Sequence, residues 1–296
     1  MYIRVIPPQN LPPRGNHWRI NMKEIIFTKM LQDKTIPQLA QIAHEWQLDG
    51  FDLCVRPDYP VNPDNAYEEL PKAVEFMKSE GLVIPMVTGN FDLLTPDHPT
   101  AQPLLKAMDK ADVRLLKLGY FKFDPWTMNY QVEVARVKAI FKSWLPLARQ
   151  YNVKICYHTH SNRNIGMNGA AMAHLLEDLD PLYFGAYIDT GHLRAEGEDF
   201  ATALGMIRPW LSIVSVKDML VERITKENHG STKNQWLSAG QGMVDWTYVF
   251  DCLRRVGFDG PVSIHCEFHD QGDPFMVRAQ REAAFFRPFF QTKPAE

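Results

Sequence analysis

Four short apolar runs in the second half of the chain each end in a cluster of ionisable residues, and this repeated pattern limits the folds that the chain can adopt. The clustered residues are His158, His160, Asp189, His192, Lys217, Asp218, His265, Glu267 and His269. The runs are β-rich, too short for helices and separated by helical stretches, so each is predicted to be a buried parallel strand. In a (β/α)8 barrel all C-terminal strand ends meet at one rim, which holds the active site.

Eight strand–helix pairs can be followed along the chain, from the strand KEIIFT to the strand PVSIHC and a last helix through about residue 286. Such a series favours a closed parallel barrel over an open sheet, and no compositional break marks a second domain. We therefore predict an α/β fold, a single (β/α)8 TIM barrel over residues 23–290. Residues 1–22 are predicted to form a proline-rich arm, and residues 291–296 a short tail.

Local signals mark several boundaries within this series. Thr35 is predicted to cap the first helix, and Gly81 to end the second. The segment from about Leu220 to Val244 is polar and longer than a typical βα loop. It is therefore predicted to be a long loop, either a lid or a mobile segment.

Composition and charge argue against several classes of protein. The 296 residues carry a net charge of −3, without the basic footprint of a nucleic-acid-binding protein. No apolar stretch reaches transmembrane length and the first residues lack the apolar region of a signal peptide, so a cytoplasmic protein without membrane association is expected. The four cysteines lack metal-finger spacing and are predicted to be small buried residues: Cys54, Cys156, Cys252 and Cys266.

Two strand ends carry histidine and aspartate in patterns suited to chemistry. YHTH places His158 and His160 two residues apart, so both side chains point to one side of the backbone. The pair can bind a metal or a sugar hydroxyl, or form a hydrogen-bonded structural pair. Asp189 ends an apolar run, where a carboxylate needs a cation or a donor facing it, although it could also cap the next segment. His192 follows one turn onward.

The eighth strand supplies the strongest single candidate. Glu267, in SIHCEFH, ends an apolar run and has no evident capping role, so we expect it to be a catalytic or metal-binding group. His265 and His269 flank it at alternate positions, and both are expected to be hydrogen-bonded core or rim histidines.

Charged residues also follow the seventh and second predicted strands. Lys217 could bind a substrate oxyanion or act as an acid, or pair with Asp218 and neighbouring charges as a rim residue. Arg56, in LCVRP, is a candidate anchor for an anionic or polyhydroxy substrate. The two glycines of GQGMVDW could present backbone amides to phosphate, but an ordinary entry into the next helix is the preferred interpretation.

At these residues the sequence resembles the xylose isomerase-like barrel superfamily of sugar phosphate isomerases and epimerases, which also contains endonuclease IV-like proteins. The resemblance covers residues 23–286. It depends on the stretches GFDLCVRP, YHTHSN, YIDTGH, SVKD, GQGMVDW and SIHCEF, in that order. The endonuclease branch is disfavoured because its richer His/Glu metal pattern and basic DNA-binding face are missing.

The resemblance implies a divalent-metal site with two departures from the usual ligands. Family members take Glu, Asp, His and Glu from the ends of strands five to eight. Asp189 and Glu267 match the sixth and eighth positions, His158 stands at the fifth, and Ser215 replaces the histidine at the seventh. We expect His158, Asp189 and Glu267 to hold Mn, Mg or Zn.

The leading hypothesis from the sequence is a sugar or keto-sugar isomerase or epimerase that uses metal-assisted proton transfer next to a carbonyl. Glu267, His158 and Lys217 would be catalytic, whereas Arg56, His160 and His192 would contact the substrate. The alternatives are a metal-dependent lyase on oxidised (keto) glycosides and a non-catalytic carbohydrate-binding barrel with a degenerate metal site. The expected partner is a small carbohydrate, and aromatic stretches around Trp126 and near the C-terminus leave a homo-oligomer open.

Overall fold

The computed structural model describes residues 21–268 and 272–291. Eight parallel strands close into a barrel, which confirms the predicted (β/α)8 fold. In chain order these strands are β1 (Lys23–Phe27), β2 (Gly50–Cys54), β3 (Val83–Thr88), β4 (Leu115–Lys117), β5 (Lys154–His158), β6 (Phe184–Asp189), β7 (Leu211–Val216) and, after a hairpin, β10 (Pro261–Ile264). Because β10 pairs with both β7 and β1, the sheet has no open edge.

Helices follow the strands and surround the barrel. They are α1 (Ile36–Trp46), α2 (Ala66–Ser79), α3 (Ala101–Lys110), α4 (Tyr130–Gln150), α5 (Gly169–Leu176), α6 (Thr190–Ala195), α7 (Phe200–Ile207), α8 (Trp246–Val256) and α9 (Phe275–Gln291). Thr35 caps α1 in a capping box with Gln38, as predicted. Gly81, two residues after α2, has φ +76°, which glycine adopts without strain.

The barrel interior is layered, because every second residue of a strand points inward. One layer is mainly apolar and contains Ile25, Met86, Cys156, Tyr187 and Ile213. Two residues onward, towards the C-terminal rim, the same strands carry Phe27, Thr88, His158, Asp189 and Ser215. The polar site is therefore the next inward layer of the barrel, built directly on an apolar floor.

The segment after β7 differs from the sequence prediction. Instead of a long loop, β8 (Asp218–Lys226) and β9 (His229–Leu237) form an antiparallel hairpin outside the barrel. Most residues of both strands have exposed or half-exposed side chains. The polar sequence therefore reflects a solvated hairpin, and the prediction of a loop was wrong.

Asp218 organises the chain that returns from this hairpin. Its carboxylate accepts hydrogen bonds from the backbone amides of Gly240 at 2.9 Å, Gly242 at 3.1 Å and Val244 at 3.2 Å. A Cβ on Gly242 would lie 2.2 Å from the Asp218 carboxylate, so this close approach requires glycine. The amides of GQGMVDW are thus directed at a protein carboxylate, consistent with an ordinary entry into α8.

A second apolar layer lies between the strands and the helices and contains most of the buried aliphatic residues. All four cysteines are free and buried, as expected. None of the helices in the described part of the chain is both long and apolar enough to cross a membrane. The expected arm and tail lie almost entirely outside the described residues, as does His269.

Candidate active site

Asp189, at the end of β6, uses its two carboxylate oxygens differently. Its Oδ1 accepts a hydrogen bond from the amide of His192 at 2.8 Å and so caps α6. Its Oδ2 accepts from the Ser215 hydroxyl at 2.7 Å and lies 3.6 Å from ring nitrogens of both His158 and His265. Burial raises the pKa of Asp189. Asp189 therefore caps a helix with one oxygen and faces two imidazoles with the other.

His158 is buried at the end of β5 between two hydroxyl groups. Its Nδ1 lies 3.3 Å from the Tyr120 hydroxyl, and its Nε2 lies 3.2 Å from the Ser215 hydroxyl. A metal held with Asp189 needs the lone pair on Nε2, which lies 3.6 Å from Oδ2 of Asp189; in that tautomer the Nδ1–H of His158 donates to the Tyr120 hydroxyl. Burial, aided by the charge of Lys117, holds the pKa of His158 well below its usual value. The ring is therefore neutral and can act as a ligand.

Tyr187 connects His265 to a buried carboxylate across the barrel. The Tyr187 hydroxyl donates to Oδ2 of Asp52 at 3.1 Å and lies 2.8 Å from Nε2 of His265. Because its one proton is used on Asp52, this hydroxyl accepts from the Nε2–H of His265. Burial lowers the pKa of His265 well below its usual value, so Nδ1 carries a lone pair. That lone pair lies 3.6 Å from Oδ2 of Asp189 and 3.9 Å from Oε2 of Glu267.

Lys217 and Glu267 form an ion pair beside this group. The Lys217 ammonium lies 2.9 Å from Oε2 of Glu267, 3.1 Å from Nε2 of His192 and 3.9 Å from Oδ2 of Asp189. Burial opposes its charge, but the two carboxylates outweigh burial and raise the pKa of Lys217. Burial also opposes ionisation of Glu267. The positive charge of Lys217 outweighs burial, with help from Lys29 at Oε1, and holds the pKa of Glu267 well below its usual value. Both groups are therefore charged.

His160 and His192 line an outer cavity of about 260 Å³, together with Lys217, Glu267 and Trp236. Their ring centroids are 3.9 Å apart. Trp236, brought in by β9, packs edge-on against His192 at 4.8 Å, and its ring lies 4.3 Å from the Lys217 ammonium. Burial lowers the pKa of His160 to about 4. Neutral imidazoles beside an indole suit contacts with substrate hydroxyls and apolar faces.

Arg56 lies at the end of β2 and lines a smaller inner cavity of about 50 Å³ with His158, His265 and Glu267. Its Nε donates to the carbonyl of Gly89 at 3.1 Å. The structure thus brings to one rim of the barrel the seven residues that were given catalytic, substrate-binding or metal-binding roles from the sequence: Arg56, His158, His160, Asp189, His192, Lys217 and Glu267. Their roles remain predictions.

The donors present suit a divalent metal. Single ligand atoms of His158, Asp189 and His265 lie within 4.8 Å of one another, and all three residues are buried. A neutral imidazole lone pair facing carboxylate oxygens is stabilised by a cation between them, and two imidazoles with one carboxylate suit zinc or a similar ion. Glu267 lies beside this set, but both of its oxygens contact lysines. Ligation by Glu267 therefore stays a prediction.

Several residues of the site were missed or given another role from the sequence. His265 was expected to be a hydrogen-bonded core or rim residue, and its Nε2 has such a partner; among the described residues its Nδ1 has none and faces the carboxylates. The sequence signal for His265 was its position two residues before Glu267, which places both side chains on the same side of the backbone. Asp52 and Tyr187 lie within strands and gave no signal of their own. Trp236 was hidden in the segment that was predicted to be a loop.

Comparison with known proteins agrees with this fold. The family model described as xylose isomerase-like TIM barrel matches residues 40–289. The structure of 3-keto-D-glucoside 4-epimerase YcjR from E. coli superposes with a TM-score of 0.69 at 16% identity, covering 90% of this chain and 100% of that one. The zinc-bound IolI protein gives 0.68 at 12% identity, covering 90% and 96%. At such identities the likeness concerns the fold.

Curated relatives match over a shorter region. An inosose dehydratase from Geobacillus thermodenitrificans is 28% identical over 152 residues, which are 48% of this chain and 46% of that protein. The chain spans less than half the length of the first curated relatives it matches. The family match, in contrast, covers most of the barrel. The chain therefore belongs to the xylose isomerase-like TIM barrel family.

Proposed function

We propose that this protein is a dehydratase acting on a polyhydroxylated ketone, either a keto-sugar or a keto-cyclitol. The reaction removes a proton next to the ketone and expels the hydroxyl group of the neighbouring carbon as water. One observation carries the choice of reaction: among the described residues that line the inner and outer cavities, Glu267 is the one carboxylate. The curated relatives that match part of the chain are named inosose dehydratases, which supports the same chemistry.

A single carboxylate is enough for dehydration and is a poor basis for epimerisation. Reversible epimerisation uses a base on each face of the substrate, whereas His158 occupies the position of the second carboxylate. In a dehydration on one face, Glu267 can take the proton from carbon and return it to the departing hydroxyl. Carbon–hydrogen and carbon–oxygen bonds break, a carbon–carbon double bond forms, and water leaves.

Lys217 and the histidines would hold the substrate for this step. The charged Lys217 ammonium, 2.9 Å from Glu267, can donate to the oxygen on which negative charge develops. A substrate oxygen that takes this donor weakens the hold of Lys217 on Glu267, which raises the basicity of the carboxylate. His160 and His192 face the outer cavity, where hydroxyl groups of the substrate would lie.

The metal set would support the same reaction. When bound by His158, Asp189 and His265, a divalent ion supplies a Lewis acid that polarises the ketone and stabilises the enolate. In the chain itself, Tyr187 orients the imidazole of His265 and Tyr120 that of His158, while the Ser215 hydroxyl donates to Asp189.

The test uses 2-keto-myo-inositol and a 3-keto-glucoside with the manganese-loaded protein. Loss of water is followed by mass spectrometry, and proton abstraction by exchange in deuterated water. Glu267→Gln is expected to lower kcat by about a hundredfold or more, because the proton acceptor is removed. Glu75→Gln, an exposed change on α2, should have no effect.

Two results would refute this assignment. A product of unchanged mass but altered configuration would show an epimerase or isomerase instead. Full activity of Glu267→Gln would remove Glu267 from the reaction. Treatment with EDTA should abolish turnover and added Mn should restore it, whereas undiminished turnover after verified metal removal would contradict the metal role.

A further inference from the structure

Arg56 is a buried cation without a carboxylate partner in the described part of the chain. Its side chain is 4% exposed, and its guanidinium lies 4.1 Å from the centroid of the Phe91 ring and 5.7 Å from that of Phe27. One hydrogen bond, from Nε to the carbonyl of Gly89, fixes the plane of the group. A further hydrogen bond links the guanidinium to the neutral hydroxyl of Tyr59, which itself donates to the carbonyl of Lys29, and Arg56 lines the inner cavity.

Lys117 is a second such cation, at the end of β4. It is 3% exposed and lines the same cavity, and its ammonium lies 4.0 Å from the centroid of the Tyr120 ring. No carboxylate of the described segments lies within 4.0 Å of this ammonium. Burial and then the charge of Arg56 lower the pKa of Lys117 to about 7, so the two cations are close enough to repel each other.

The other two lysines of the site are differently placed. Lys29 and Lys217 both contact the carboxylate of Glu267. Arg56 and Lys117 have no such carboxylate contact among the described residues, and Asp52 and Glu267 attract Lys117 only from beyond 4.0 Å. A buried cation without a nearby negative charge is costly. A hydroxyl group of a neutral sugar could accept a hydrogen bond from it but would not neutralise its charge.

We propose that Arg56 and Lys117 form a subsite for an anionic group of the substrate, a carboxylate or a phosphate monoester. The inference rests on the proposed function for the rest of the substrate and narrows its class to an acidic polyhydroxy ketone. The stacked guanidinium presents its terminal N–H groups in a plane, the geometry that binds two oxygens of a carboxylate or a phosphate. Arg56 also lines an open groove of about 760 Å³, so the anion would lie where that groove meets the inner cavity.

The test compares three probes that the protein cannot dehydrate: D-glucitol, D-gluconate and D-glucitol 6-phosphate. Their binding is measured by calorimetry on the wild-type protein. The charged hydrogen bonds should make one or both anionic probes bind at least about tenfold more tightly than glucitol. A preference for gluconate identifies a carboxylate, and a preference for glucitol 6-phosphate identifies a phosphate.

Variants then locate the preference. Arg56→Gln and Lys117→Met should each abolish most of it, whereas Arg208→Gln, an exposed change, should leave it intact. Arg56→Lys keeps the charge but loses the planar group, and should reduce the preference several-fold even if Arg56→Gln does not fold. Equal affinity of the wild type for all three probes would overturn the proposal. So would a preference that survives in folded Arg56→Gln and Lys117→Met.

Failure of this inference differs from failure of the proposed function. Anion preference in a protein that dehydrates no ketone keeps the subsite and refutes the dehydratase. Dehydration of neutral ketones by a protein without anion preference keeps the dehydratase and refutes the subsite.

Discussion

Replacing Tyr187 by phenylalanine isolates the contribution of one hydroxyl group to the metal set. This hydroxyl bridges Asp52 and His265, and Tyr187 lies at the floor of the inner cavity. The change leaves the ring and its packing in place. It leaves the Nε2–H of His265 without an acceptor and one oxygen of Asp52 short of a donor.

The magnitude follows from these two lost partners. An unsatisfied buried polar group costs about 1–3 kcal/mol, so the free energy of unfolding should fall by about 2–6 kcal/mol for the two groups. Asp52 keeps hydrogen bonds from Thr88 at 2.6 Å and Ser263 at 3.2 Å. The decrease in the free energy of unfolding should therefore lie in the lower part of this range. Because Tyr187 also orients the imidazole of His265, the dissociation constant for Mn or Zn should rise about 10- to 100-fold.

Tyr157→Phe is the matched control. The Tyr157 hydroxyl donates to the carbonyl of Ile165 at 2.8 Å and accepts from the amide of Phe121 at 3.1 Å, so the same number of buried hydrogen bonds is lost outside the metal set. Urea unfolding should show comparable destabilisation of the two variants, and calorimetric metal titration should weaken for Tyr187→Phe alone. Equal metal affinity of both variants would refute the orienting role, and no metal binding by the wild type would refute the set itself.

Two further predictions concern residues outside the chemistry. Burial raises the pKa of the Glu24 carboxyl from 4.5 to about 8, so the folded state binds this proton more tightly than the unfolded state does. The free energy of unfolding should therefore fall as the pH rises from 4.5 to 8, by at most about 5 kcal/mol. In urea titrations, Glu24→Gln should make the free energy of unfolding depend less on pH. Asp218→Asn removes one acceptor from the amides of the segment 240–244. It should cost about 2–4 kcal/mol and speed hydrogen exchange of those amides, whereas exposed Asp64→Asn should do neither.

One result would contradict each of these two predictions. An unchanged pH slope in Glu24→Gln would mean that other groups produce it. Wild-type exchange rates in Asp218→Asn would mean that the hairpin holds its return segment without the carboxylate.

The barrel could be predicted from the sequence because its strands are buried on both faces. Runs such as FGAYI and LSIVSV have no polar alternation, and their polar ends therefore stand out. The strands β8 and β9 gave no such signal. Both faces of that hairpin are largely solvated, so no apolar period distinguishes it from a loop.

The position of a candidate residue was predictable where that residue ends or closely follows its own strand. Asp189 and Glu267 followed directly from local sequence. The position of His265 did not, because its free nitrogen is set by Tyr187 on β6 and Asp52 on β2, which are distant in the chain. Likewise, the unpaired charge of Arg56 depends on which side chains surround it, a property that local sequence does not record.

The hairpin has a consequence for how this family could diversify. Its strands pair with each other and with no barrel strand, yet Trp236 at its base forms a wall of the outer cavity. Lengthening or exchanging this hairpin beyond its base would reshape the outer cavity while leaving the strands of the barrel in place. The shape of the outer cavity and the folding of the barrel are thereby separable traits, open to independent selection.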